Sequence, residues 1–344
     1  MSSIKLRDGK IISNFSVPYV IAEVNSSHNG NPQLAREMID AAAEAGCDCV
    51  KFQSWSAKSL YSKTYYKHNP IAKRFVEKFS MSSETLKEMA MYCKEKGIAF
   101  SSTPYSKEEV DFLAEECDAA FIKISSMEVN NSEYLEYIAG KGMPIVLSTG
   151  MAEFSEVLKA VRILEGSGND NIAILHCISV YPTPIDKVNL NNMLGLRKMF
   201  PDHPVGFSDH TIGDEAAVAA TVLGAAVIEK HITLDSTKIG MDNQMAMEPE
   251  PLKNLVHKCK TIHLAMGTEE RHLCPEEIKQ RDNMRRSIVA TRDIRAGEQL
   301  TKEDLTVKRP GTGLAPTELA RVIGCTVRRD IESDTIVTMS DLEI

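Results

Sequence analysis

A chain of 344 residues with 43% apolar side chains is long enough for one large core and a small second domain; its 40 basic against 48 acidic residues leave a formal charge of −8. That mildly acidic balance, with no long positive run, argues against a nucleic-acid or anionic-membrane surface, so an anionic ligand has to be met by a local cluster of cations. The N-terminus lacks a basic start followed by an apolar stretch, no run approaches the roughly 18 apolar residues of a membrane span, and the eight cysteines are scattered without a C-x-x-C pair; together these features read as a cytoplasmic protein with reduced thiols.

Eight short apolar runs recur over the first 232 residues. They are 19–25 (YVIAEVN), 47–53 (CDCVKFQ), 98–104 (IAFSSTP), 119–125 (AAFIKIS), 144–150 (PIVLSTG), 172–179 (IAILHCIS), 205–210 (VGFSDH) and 226–232 (AVIEKHI). Runs of this length between helical patterns predict parallel strands buried on both faces. The intervening segments carry helix signals. Asn31 and Pro32 form an N-cap and first-turn proline ahead of the stripe Leu34, Met38, Ile39, Ala42 and Ala45, which Gly46 ends. Leu86, Met89, Ala90 and Cys93 repeat the pattern, Ser106 with Glu109 suggests a capping box, and Val157, Leu158, Val161 and Leu164 form a further stripe. Strand then helix, many times over, predicts an α/β fold of the (β/α)₈ barrel type over residues 1–270. An aromatic and basic insertion at 54–79 reads either as a lid over the barrel mouth or as a longer loop. A charged stretch at 271–284 reads as a linker, and 285–344 as a small β-rich domain, marginal alone and therefore expected to pack on a partner.

In a barrel of this kind the reactive groups gather where strands end. Glu23, Lys51, Gln53, Thr103, Lys123, Ser148, His176, Ser208, His210 and His231 are then expected at one mouth. His210 and His231 end neighbouring strands, about 5 Å apart, so their imidazoles can share a divalent ion, with Asp242 and Glu23 available to the shell; alternatively they pack or bond substrate. Lys51 and Lys123 sit inside apolar runs, which calls for a bound carboxylate or phosphate, or for an internal pair with Glu23, Glu128 or Glu229. Ser126, Ser148, Thr149 and Ser208 add neutral donors around such an anion. Glu128 can bind sugar hydroxyls or move a proton, and Tyr181 is held on a stiff Tyr-Pro-Thr-Pro segment, as a ligand or as rim packing. Asp214 reads as a helix cap, and Cys177 as a buried thiol.

At these residues the chain resembles the sialic acid (N-acetylneuraminate) synthases and their legionaminic and pseudaminic relatives. The matching stretches include Val50-Lys51-Phe52-Gln53, Ser102-Thr103-Pro104, Ser148-Thr149-Gly150-Met151, His176-Cys177-x-x-x-Tyr181-Pro182, Gly206-Phe207-Ser208-Asp209-His210-Thr211 and Glu229-Lys230-His231. The region 285–344 resembles that family's antifreeze-like domain. The resemblance implies condensation of phosphoenolpyruvate with an N-acetylated hexosamine such as N-acetylmannosamine. It further implies a divalent ion, Mn²⁺ or else Mg²⁺, on His210 and His231, and phosphoenolpyruvate held by Lys51, Lys123, Ser126, Ser148 and Ser208 near Thr103. Gln53, Glu128, Ser179, Tyr181 and Asp242 would surround the sugar; Glu23 is the candidate for handling a proton or for orienting the metal-bound water, with a simple pair to Lys51 as the alternative. A domain-swapped homodimer would bring Arg309 to the sugar's acyl group in the other subunit.

This chain carries Asn243 and Ala246 where the family often has His and Ser. Those departures, expected near the sugar, leave a 2,4-diacetamido acceptor open. Rival readings are a Schiff-base aldolase using Lys123 or Lys230, and a non-catalytic protein whose C-terminal domain binds carbohydrate or a partner while the barrel is only scaffold.

Overall fold

A computed structural model describes residues 2–238 and 240–343. Each of the eight apolar runs contains a strand, and the eight are hydrogen-bonded in sequence order into a closed parallel barrel. A hairpin unanticipated in the sequence comes first, β1 (Ser3–Lys5) against β2 (Ile11–Ser13). The barrel strands are β3 (Tyr19–Glu23), β4 (Cys49–Gln53), β5 (Ala99–Thr103), β6 (Ile122–Ile124), β7 (Ile145–Ser148), β8 (Ile172–Cys177), β9 (Val205–Asp209) and β10 (Val227–His231), with β10 closing on β3. Helices α1 (Pro32–Ala45), α2 (Lys63–His68), α3 (Pro70–Phe79), α4 (Ser83–Glu95), α5 (Lys107–Glu115), α6 (Ser132–Ala139), α7 (Phe154–Gly166), α8 (Asn192–Met199), α9 (Glu215–Val222) and α10 (Pro249–Met266) fill the connections.

The caps follow local chemistry. Asn31 accepts from the N–H groups of Gln33 and Leu34, and Gly46 ends α1 at φ +81°, where a side chain would strain the turn. Ser106 caps α5, but the Glu109 carboxylate reaches Tyr105 N–H rather than Ser106, so the reciprocal box is not closed. Asp214 precedes α9 without capping it; its carboxylate accepts from Lys258 instead, at 2.7 Å.

Strand alternation divides the barrel into two cores. Outward residues such as Val50, Phe52, Ile122, Ile124, Ile174, Phe207 and Ile228 pack beneath the helices. Inward residues at the strand starts, Tyr19, Ile21, Cys49, Phe121, Val146, Ala173 and Val227, form an apolar plug that Ile4, Leu6 and Ile12 of the hairpin region complete. Gly206 is inward, and a Cβ there would sit 2.7 Å from the Leu175 side chain. The inward positions nearer the strand ends, among them Glu23, Lys51, Thr103, Lys123, Ser148, Ser208 and Glu229, are polar, so the chemistry lies on top of a dry floor.

The chain divides into two units between Gly267 and Thr268. In the second, the expected linker is helical from Pro275 on, as α11 (Pro275–Met284). It buries no side chain, so no apolar stripe marked it in the sequence; Pro275 at its start and two glutamates in the first turn are what favour it. Strand β11 (Ser287–Ala290) pairs with β12 (Leu305–Lys308), and, beyond the short α12 (Leu319–Val322), β13 (Thr326–Val327) pairs with β14 (Leu342–Glu343). Their core includes Ile288, Ala290, Ile294, Leu300, Leu314, Val327 and Val337.

Candidate active site

The inward side chains at the strand ends open into a cavity of about 370 Å³. Glu23 of β3, Lys51 and Gln53 of β4, Thr103 of β5, Lys123 of β6, Ser148 of β7, Cys177 of β8, Ser208 of β9, and Glu229 and His231 of β10 all line it. Register explains the convergence, since Glu23 stands opposite both Lys51 and His231, and Glu229 opposite Ser208. A second cavity of about 390 Å³ lies at the strand starts, but its basic groups Arg7, Lys10, Lys87 and Lys94 are each paired with a carboxylate. The chemistry belongs to the first.

Its floor carries two cations and two carboxylates. Lys51 is paired with Glu23 and donates to Thr103 Oγ1 at 3.1 Å, while Glu229 Oε2 lies 3.7 Å away. Lys123 donates to Ser148 Oγ at 2.7 Å, with Glu229 Oε1 at 3.8 Å, and Glu229 also accepts from Ser208 Oγ at 2.9 Å. Burial pushes the Lys123 ammonium down, whereas for Lys51 the neighbouring carboxylates outweigh burial and hold it up. Burial, opposed by Lys51, pushes the Glu23 carboxyl up to about 7. Burial also acts on Glu229, but the two lysines more than offset it and hold this carboxylate low. With Glu23 protonated, the floor has two ammonium groups against one carboxylate, which suits an anion.

Beside this floor the His210 and His231 rings stand 5.5 Å apart between centroids. His210 Nδ1–H donates to the Ile178 carbonyl at 2.8 Å, which leaves Nε2 with its lone pair. His231 Nδ1 is buried without a hydrogen-bond partner, 3.8 Å from Asp242 Oδ2. Burial lowers both imidazole pKa values, and for His231 the nearby basic groups lower it further, so both rings are held toward their neutral form. No cluster of three or more preset ligands occurs among the described residues. The donor set nevertheless fits a divalent ion held by two neutral histidines in an open shell: one buried nitrogen is orphaned, and a carboxylate, raised to about 6 by burial, stands next to it.

Gln53 is oriented without ambiguity. Trp55 Nε1–H is a donor only and meets Gln53 Oε1 at 2.8 Å, joined by Tyr105 O–H at 3.0 Å. The amide nitrogen therefore faces Glu23 Oε1, at 2.9 Å, where the Asn25 N–H also donates. Trp55, Leu60 and Tyr61 of the insertion line the cavity, while Trp55, Tyr66, Val76 and Phe79 form a separate small core, so the insertion is a structured flap built on α2 and α3. Tyr181 stands over His210 at 4.2 Å between rings. Ser126, Ser179 and Asp242 also line the cavity, and Ser126 Oγ accepts from Gly150 N–H at 2.9 Å.

Other expectations are corrected. His176 faces outward, stacking on Phe207 and bonding the Val188 carbonyl through Nε2, because it alternates with inward Leu175 and Cys177. Glu128 is not a lining residue; a 3₁₀ turn carries its carboxylate to Asn131. Thr149 Oγ1 donates to the Leu175 carbonyl. Lys230 is fully buried outside the cavity, bonded to Asp209 and the Thr211 carbonyl, which removes it as a Schiff-base nucleophile. Asn243 is buried against Ser27, and Ala246 does not line the cavity, so neither departure touches a ligand there. Arg309 is an exposed residue of the second unit. Sequence reasoning missed Trp55 and Tyr105 as ligands of Gln53, and weighed Glu229 only as a lysine partner; its inward position two residues before His231 was the available signal.

Known proteins carry the same combination. The NeuB family matches residues 38–271 and the SAF domain residues 285–343. An N,N'-diacetyllegionaminic acid synthase from Legionella pneumophila is 36% identical over 338 residues, 94% of each chain. N-acetylneuraminate-9-phosphate synthase from Mus musculus is 34% identical over 356 residues, covering 99% of this chain and 97% of its own. The crystal structure of N-acetylneuraminic acid (sialic acid) synthetase from Leptospira borgpetersenii in complex with citrate aligns with a TM-score of 0.74 at 29% identity, over 82% of this chain and 98% of its own. Fold, site and likeness define a transferase-type synthase with an antifreeze-like SAF domain at its C-terminal end. The chain belongs to the NeuB family, whose synthases condense phosphoenolpyruvate with a sugar.

Proposed function

We propose that this chain condenses phosphoenolpyruvate with an N-acylated hexosamine such as N-acetylmannosamine, giving a nine-carbon 2-keto-3-deoxy acid and inorganic phosphate. The observation that carries this reading is the convergence of two buried ammonium groups and two neutral imidazoles on one cavity. Lys51 and Lys123, with Thr103, Ser126, Ser148 and Ser208, take the phosphate and carboxylate of phosphoenolpyruvate. His210 and His231, with Asp242 beside them, would hold a manganese-type divalent ion, or magnesium. When bound, that ion supplies Lewis acidity to the open-chain aldehyde.

C3 of the enol then bonds to the aldehyde carbon while the carbonyl π pair moves onto its oxygen, water adds its oxygen to C2, and the bond from C2 to the phosphate oxygen breaks, so that one water proton ends on the new hydroxyl and the other on the departing phosphate. Glu23, raised to about 7 by burial, takes the proton of that water in its ionised form on Oε2, the oxygen that also faces the Lys51 ammonium, because Oε1 already accepts from two N–H donors. Gln53, with its carbonyl saturated, offers an N–H to the sugar, and Ser179, Tyr181 and Asp242 surround it. A homodimer in which Arg309 of one subunit reaches the acyl group bound by the other completes the proposal.

A 2,4-diacetamido acceptor is the second reading. Likeness to the legionaminic acid synthase favours it, as do Met127, Met151 and Met241 on the cavity wall, which offer an apolar rest for a second acetyl group. The test is phosphate release from phosphoenolpyruvate with each sugar, with and without Mn²⁺, and the product mass by spectrometry. Release that needs both a divalent ion and an N-acylated sugar supports the proposal. Chelator-insensitive activity with pyruvate trapped on Lys123 by borohydride would replace it with an aldolase.

A further inference from the structure

We infer that Lys230 and Asp209 are positioning residues for the histidine pair. They form a buried cross-strand clamp that fixes where the backbone carries His210 and His231. The inference rests on the two-histidine metal reading above.

Asp209 ends β9 and Lys230 is the next-to-last residue of β10, each immediately before a histidine, and the two are register partners. Both side chains have no solvent exposure, and Lys230 Nζ lies 2.8 Å from Asp209 Oδ2. Alternation points them away from the cavity, among outward neighbours such as Phe207 and Ile228 beneath the helices. Comparable outward positions elsewhere hold apolar Ala22, Phe52, Ile124 and Leu147 or polar Ser102 and His176, and a buried ion pair there is no better for stability than a well-packed hydrophobic pair, because desolvation of both charges offsets their attraction. A structural account based on stability alone therefore leaves the pair unexplained.

The remaining bonds supply the reason. His210 lies one residue beyond the end of β9, outside the strand ladder. The same ammonium that grips Asp209 also donates to the Thr211 carbonyl at 2.6 Å, while Thr211 N–H donates to Asp209 Oδ1 at 2.8 Å. The residues before and after His210 are thus both tied to one atom, Nζ of the residue before His231. One ammonium sets the spacing of the two imidazoles from behind, as the Ile178 carbonyl sets the rotation of His210 from the side. Outer partners of metal ligands act through such orientation.

The test compares full-length wild type with Lys230→Met, Asp209→Asn and the double variant Lys230→Met/Asp209→Leu, which replaces the pair by apolar side chains. Mn²⁺ affinity is read by electron paramagnetic resonance titration, phosphoenolpyruvate affinity in the absence of metal by calorimetry, and folding by thermal melting of the metal-free protein. The clamp predicts that the double variant melts near wild type and keeps its phosphoenolpyruvate affinity, yet binds Mn²⁺ about 10–100-fold more weakly. Wild-type Mn²⁺ affinity in the double variant would overturn the inference. Should the double variant not fold, Asp209→Asn, which keeps the shape and two of the bonds, is expected to show the same weakening, and wild-type Mn²⁺ affinity there would overturn the inference equally. A wild-type protein that binds no Mn²⁺ would instead sink the metal reading, and this inference with it.

Discussion

Lys123 and His231 illustrate how one residue's surroundings set its chemistry. Each is buried and each is pushed toward its neutral form, yet Lys123 keeps a hydroxyl and a carboxylate close by, whereas His231 has a nitrogen with no partner. An unsatisfied buried nitrogen costs about 1–3 kcal/mol, a penalty that an incoming ligand relieves. His231→Ala is therefore expected to lower kcat at least about 1000-fold, the several kcal/mol of a lost Lewis acid, while metal-free phosphoenolpyruvate affinity stays unchanged; steady-state phosphate release and calorimetry measure the two. Glu23 gives a pH prediction. Its folded carboxyl ionises near 7, against an ordinary value of 4.5, so between those values the folded state holds a proton that the unfolded state has released. Stability then declines as pH rises from about 4.5 to about 7 and levels off above. Glu23→Gln should flatten that slope in denaturant titrations of the metal-free protein, and an unaltered slope would locate the proton elsewhere.

At the scale of elements, the strands were legible because apolar runs of six to eight residues recur between capped helices, and parallel strands need little else. What escaped was anything shorter or without an apolar face. The hairpin strands are three residues each, too short for alternation to stand out, and α11 has no buried side chain. His176 was misplaced because a position at a strand end was taken as sufficient; alternation with Cys177 decides which face it occupies. The lysines and histidines were readable one by one, since a cation inside an apolar run demands a partner. The Trp55 and Tyr105 grip on Gln53 was not, because it joins an insertion to the strand before it and the loop after β5. The flap has its own small core, so it is expected to open independently of the barrel. Phe79→Ala, a loss of about 3–5 kcal/mol for a buried phenylalanine, should strip hydrogen-exchange protection from residues 55–80 while the barrel strands keep theirs. Equal loss in both would show the two to be one cooperative unit.

For the whole molecule, the dry plug at the strand starts and the polar rows above it divide the labour between stability and chemistry, as barrel enzymes do. Among the described residues no helix is long and apolar enough to cross a membrane. The second unit has a separate core, and the proposed dimer gives it a use beyond folding. Under that proposal Arg309→Ala and His231→Ala are each inactive as pure proteins, but subunits refolded together regain activity, because one mixed site unites an intact barrel with an intact Arg309. Absence of recovery in a verified mixed dimer would assign Arg309 to its own barrel or to no site.

The claim beneath all of this is spatial: far-separated imidazoles and ammonium groups share one ligand pocket. Anomalous diffraction from crystals grown with Mn²⁺ and phosphoenolpyruvate measures it directly. The account predicts a manganese peak bound by His210 and His231, with the phosphorylated enol against Lys51 and Lys123 in the same cavity. Manganese bound away from both histidines, or phosphoenolpyruvate seated outside that cavity, would contradict it.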